Sequence, residues 1–124
     1  MYITVDGDDR RPIYRQIAEE IKGLIAGGKL TEGAHLPPVR QLAADLGVNL
    51  NTIATAYREL QAEGLIIIKH GSGAVVFSST ASEPNEEGLR RSLRTALTQL
   101  VLAGLRRRQI MNIVIEELGS LLKR

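Results

Sequence analysis

Apolar residues recur every three to four positions through the first half of the chain and then gather into two short β-branched runs. Over Pro12–Ala26, Ile13, Ile17, Ile21 and Ile25 return at every fourth position and are joined by Leu24, which predicts an amphipathic helix opened by Pro12 and stopped by Gly27-Gly28. Lys29–Pro37 is crowded with turn formers and is expected to be a link without an element of its own. A second helix is predicted over Val39–Leu46, with Val39, Leu42, Ala43 and Leu46 as its apolar stripe and Gly47 supplying a left-handed end. Asn49 stands where an N-cap is needed. Behind it Ile53, Ala56, Tyr57 and Leu60 follow helical spacing to a stop at Gly64, leaving Leu50, Asn51, Ala54, Thr55 and Arg58 on other faces. Two short helices joined through a glycine, the second opening with small polar side chains, form the pattern of a helix-turn-helix.

Leu65–Lys69 and Ala74–Phe77 flank His70-Gly71-Ser72-Gly73 and predict a hairpin with a glycine-rich tip. Three helices followed by a hairpin make residues 1–78 a winged helix-turn-helix: mainly α with a small β-hairpin. Residues 79–88 are polar, contain Pro84, and are read as a linker. Residues 89–124 resume helical spacing in two sets separated by Gly104: Leu93, Leu97 and Leu100, then Ile110, Ile113, Val114, Leu118 and Leu121. A two-helix hairpin this small cannot bury both stripes against itself, so it is expected to pack on a second copy as a dimerisation tail.

Composition narrows the setting. The chain has 124 residues, enough for one domain and an appendage, and no cysteine, which removes disulfides and thiolate zinc sites and favours a reducing compartment. Its start lacks a basic, apolar signal sequence, and no apolar run approaches the roughly 20 residues of a membrane span, so the expected location is the cytoplasm. A net charge of +2 is weak support for nucleic acid, because residues 1–78 hold 8 Lys or Arg against 9 Asp or Glu and the excess lies in the tail. DNA binding by the front domain therefore requires a polarised face.

Several side chains fit such a face. Arg40 can bridge phosphates or reach a guanine edge, or merely pair with Asp45. Asn51 and Thr52 can donate to phosphate, and Asn51 to adenine, although both residue types also serve helix starts. Leu50 either touches a thymine methyl or packs on the turn. Tyr57 falls on the core side of its helix, which favours packing with the hydroxyl at an edge over a phosphate contact. Lys69 and His70 supply donors beside Gly71, where a bare backbone can approach a sugar-phosphate rim. His35 and His70 lack partners at metal-ligand spacing and Ser72 lacks a base, so neither a metal site, a cofactor nor an enzyme is expected. Arg106-Arg107-Arg108, at the tail's joint, is more often a solvated corner than a DNA contact.

Pro12-Ile13-Tyr14-Arg15-Gln16-Ile17, Leu36-Pro37-Pro38-Val39-Arg40-Gln41-Leu42-Ala43, Leu46-Gly47-Val48-Asn49-Leu50-Asn51-Thr52, Ala56-Tyr57-Arg58-Glu59-Leu60, Glu63-Gly64-Leu65 and Gly71-Ser72-Gly73 together resemble the GntR family of bacterial transcriptional regulators over residues 12–77. The short tail resembles the YtrA subfamily. The resemblance implies a homodimeric regulator, a repressor of genes often linked to ABC transporters, bound to double-stranded DNA. It carries over Arg40, Asn49, Asn51, Thr52, Thr55, Tyr57, Arg58 and Gly71 as site residues. Pro38 replaces the usual capping Ser, and Leu50 and Ala54 stand where relatives often have a basic side chain. A small-molecule effector would need a dimer interface, as the tail is too small for a generous pocket. The alternative is a winged-helix protein-interaction module without specific DNA readout, since fold alone does not fix function.

Overall fold

A computed structural model describes residues 3–69, 73–77 and 85–122. Chain packing divides the molecule after Ser79 into two units. In the first unit, α1 (Ile13–Ala26), α2 (Val39–Leu46) and α3 (Leu50–Ala62) precede strands β2 (Ile66–Lys69) and β3 (Gly73–Val76), with a two-residue strand, β1 (His35–Leu36), between α1 and α2. The sheet order is β1-β3-β2, antiparallel throughout, with Leu36 opposite Ala74 and Ile68 also opposite Ala74.

β1 corrects the expectation that Lys29–Pro37 contains no element. Its two residues form a strand because β3 offers a free edge: His35 pairs with Val75, and the pairing is extended where Val76 N–H donates to Ala34 carbonyl at 2.9 Å and Gly33 N–H to Val76 carbonyl at 2.9 Å. Such pairing depends on a segment some forty positions away in the chain, which local periodicity does not register.

The core follows the predicted stripes closely in α3, where Ile53, Ala56, Tyr57 and Leu60 are all fully buried. α1 contributes Ile17, Ala18 and Ile21, and the sheet adds Leu36, Ile66 and Ala74. Ile13, expected on the α1 stripe, lies exposed at the helix start, and Gln16 is buried in its neighbourhood instead. The Gln16 amide is fully used: it donates to the carbonyls of Asp6 and Arg11 and accepts from Asp6 N–H, binding the N-terminal segment to α1. At the turn between α2 and α3, Gly47 takes φ 68°, the left-handed conformation that ends α2 and redirects the chain.

The second unit contains α4 (Glu86–Leu102) and α5 (Arg107–Leu121), joined through Gly104. α4 starts within the stretch read as linker, because Asn85 caps it: its side-chain oxygen accepts from Gly88 N–H at 3.0 Å, and Glu86 and Glu87 suit the positive end of the helix. Neither helix has a buried residue. Leu97, Leu100, Ile110, Ile113 and Val114 are half-buried, while Leu93, Leu118 and Leu121 remain exposed. Among the described residues no helix is long and apolar enough to cross a membrane.

Candidate nucleic-acid interface

The start of α3 is set by Asn49. Its backbone is extended, and its side-chain oxygen accepts from Asn51 N–H at 2.8 Å, satisfying one of the donors that a helix start leaves without a partner. Leu50 and Asn51 are consequently held out in solvent on the first turn, with Thr52 and Thr55 half-buried behind them. Thr55 Oγ1 donates to Asn51 carbonyl at 2.8 Å and accepts from Arg58 Nη2 at 3.3 Å, so this threonine guides Arg58 along the helix surface. Neither α2 nor α3 has an acidic residue in its first turn, whereas α4 has two. The positive ends of α2 and α3 thus stay open to an outside anion.

α2 and the wing strands meet this helix start around a shared hollow. Arg40 of α2, Leu50 of α3, and Ile68 and Lys69 of β2 line an open concavity of about 390 Å³ together with Pro38 and Val39. A neighbouring hollow of about 390 Å³ continues along Ala54, Arg58, Gln61 and Ile68. The wing is fixed to the helices at two points that the sequence reading did not identify. Gln61 side-chain oxygen accepts from Ile68 N–H at 2.8 Å, tying β2 to α3. Gly73, at φ 84°, brings β3 so close to the segment before α2 that a Cβ there would stand 2.3 Å from Leu36 carbonyl oxygen. Only glycine permits that approach.

Tyr57 takes the core position that its place in the α3 stripe favoured. It has no solvent exposure, and its hydroxyl donates to Pro37 carbonyl at 2.7 Å, pinning the residue before Pro38 to the core. From the apolar face of α3 it also lines the second hollow, beside Ala54 and Arg58. His70 and Gly71, expected at the wing tip, lie outside the described residues, as does Ser72.

Among the described residues, no ion pair of the first unit involves a residue lining these two hollows. Along α1 and the flank of α3 turned to it, Lys22 pairs with Glu63 at 2.8 Å, Arg15 with Glu59 at 3.9 Å, and Arg11 with both Asp9 and Glu19. The Arg11 guanidinium, by direct hydrogen bonding, holds the Asp9 carboxyl below its ordinary value. Among the described residues Arg40, Arg58 and Lys69 form no ion pair, and the alternative pairing of Arg40 with Asp45 does not occur. The near balance of charge in residues 1–78 therefore hides a face with exposed cations beside two helix starts.

Known proteins share this sequence pattern and fold. Residues 13–76 match the model of the gntR family of bacterial regulatory proteins. The chain is 36% identical over 100 residues to the HTH-type transcriptional repressor YtrA of Bacillus subtilis (strain 168), covering 81% of this chain and 76% of that protein. Among solved structures, a transcriptional antiterminator from Listeria monocytogenes EGD-e superposes with a TM-score of 0.88 at 28% identity, covering 100% of this chain and 95% of that one. The AraR DNA-binding domain in complex with operator ORX1 superposes with a TM-score of 0.54 at 29% identity, over 61% of this chain and 95% of that one.

Proposed function

The chain belongs to the GntR family of bacterial regulatory proteins, and from that premise we propose that it is a cytoplasmic repressor that binds a near-palindromic operator as a homodimer. It is a transcriptional regulator with a winged-helix DNA-binding domain. The observation that carries the finer reading is the hollow framed by Arg40, Leu50 and Lys69 beside two helix starts without acids. In this reading α3 enters the major groove, Asn51 and Thr52 meet base edges or phosphates, and Arg40, Arg58 and Lys69 hold the flanking backbone. The operator complex of the similar AraR domain supports that use of the fold. The open apolar positions of α4 and α5 support pairing of two copies, which would set half-sites about 34 Å apart on one side of the duplex. Transporter genes are the proposed targets, and an effector would bind between the two copies.

Fluorescence anisotropy with DNA from upstream of the protein's own gene, at two salt concentrations, tests the reading. Specific binding should be at least about a thousandfold tighter than binding to unrelated DNA. Arg40→Ala should weaken it and reduce the salt slope by about one unit. Equal, weak affinity for every duplex would sink the proposal.

A further inference from the structure

We propose that Leu50 reads a thymine in each half-site by packing on its 5-methyl group in the major groove. This inference rests on the first unit being the operator-binding domain. Leu50 is the first residue of α3 and is 42% exposed. It is absent from the apolar residues that pack on the core, and Val48 fills that role at the turn between α2 and α3. The side chain is thus only partly covered, within a hollow it shares with Pro38, Val39 and Ile68, and it does not join the core. One turn further along α3, Ala54 continues the same surface, and Val39 and Ile68 back both residues. An apolar strip thus runs along the hollow, with Arg40 and Lys69 at one part of it and Arg58 at the next.

That arrangement has a chemical counterpart in duplex DNA. Flanking phosphates match the cations, and between them the thymine methyl is the one apolar group that a base pair presents in the major groove. A cytosine at the same place would put an amino donor against Leu50, and an adenine or guanine would put polar edge atoms there, each losing its hydration without a partner. Leu50 accordingly disfavours the other bases as well as favouring thymine.

The test uses the full-length protein. Binding sites are selected from randomised duplex DNA, and each thymine of the best site is replaced singly by deoxyuridine, which removes only the methyl group. For the unmodified protein, one position per half-site should lose about fourfold in affinity, the equivalent of burying one methyl-sized group. Leu50→Ala should bind the thymine duplex more weakly, be indifferent to the deoxyuridine replacement, and relax the selected sequence at that position alone. Leu50→Met, which keeps a long apolar side chain, should retain the preference. If selection succeeds but no methyl removal matters, or if Leu50→Ala loses as much on methyl removal as the unmodified protein, the role of Leu50 is overturned while the operator-binding reading stands. If no sequence is enriched, both are overturned.

Discussion

Tyr57 ties the core to the segment that leads into α2. Its ring is fully buried and its hydroxyl donates to Pro37 carbonyl, and burial pushes the phenol well above its ordinary value of 10.0. The contact holds the residue that precedes Pro38 and Val39, and so the direction in which α2 presents Arg40. Tyr57→Phe should cost about 1 kcal/mol of stability, since Pro37 carbonyl loses its donor while the ring still fills its place. The pH dependence has a definite sign. With the folded-state value raised, the contribution of Tyr57 is complete below the ordinary value of 10.0 and is lost as pH rises above it, because the unfolded chain gives up its proton first. Urea unfolding at about pH 9 and about pH 11 should show a steeper loss in the unmodified protein than in Tyr57→Phe. An equal loss in both would show that another group governs the alkaline limb. The spacing of Ile53, Ala56, Tyr57 and Leu60 placed the ring in the core. The Pro37 carbonyl acceptor was not legible, because it is a backbone atom twenty positions upstream with no residue-type signal.

At the scale of elements, the N-terminus of α3 combines two demands that a single substitution separates. The Asn49 side chain accepts from Asn51 N–H and so keeps Leu50 and Asn51 in register, and the first turn is free of acids. Asn49→Ala should destabilise the domain by about 1 kcal/mol, the usual cost of losing such a cap. Asn49→Asp keeps the acceptor and adds a negative charge at the positive helix end, so the domain should be as stable as before or slightly more so. In the proposed complex the same charge would face the DNA phosphates and should reduce operator affinity at low salt, with the deficit narrowing as salt rises. Thermal unfolding set beside anisotropy reads both effects, and parallel changes in the two variants would remove Asn49 from the DNA-facing surface. This helix start was legible from the sequence because caps, stripes and stop signals are local. β1 was not, since two residues become a strand only when β3 lies alongside, and neither was the tie from Gln61 to Ile68 N–H, which an ordinary polar residue makes across a turn. α4 began earlier than its apolar spacing implied, because Asn85 and the following glutamates act through capping and the helix dipole.

For the whole molecule, the contrast between the two units bears most directly on assembly. Among the described residues, the first unit gathers twelve buried apolar residues in one continuous core, with the Gln16 side chain satisfied at its edge. The second has no buried residue in either helix, and Leu102 is 81% exposed. Helices of 17 and 15 residues with open apolar stripes gain little from propensity alone and need a packing surface to persist. In the proposed homodimer a second copy would supply one with the same spacing and would double the number of α3 helices that a duplex meets at once. Leu97→Glu combined with Ile113→Glu places charge in the half-buried stripe of each helix and leaves the first unit untouched. If the proposed pairing holds, sedimentation velocity should show a dimer for the unmodified protein and a monomer for the double variant at the same concentration, while the melting of the winged domain stays in place. Affinity for a two-half-site operator should fall by about a hundredfold or more, as the second binding event loses its high effective concentration, whereas affinity for a single half-site changes little. A doubly substituted protein that still sediments as a dimer would move the contact between copies away from α4 and α5. A monomer that keeps full operator affinity would show that one α3 is sufficient for recognition.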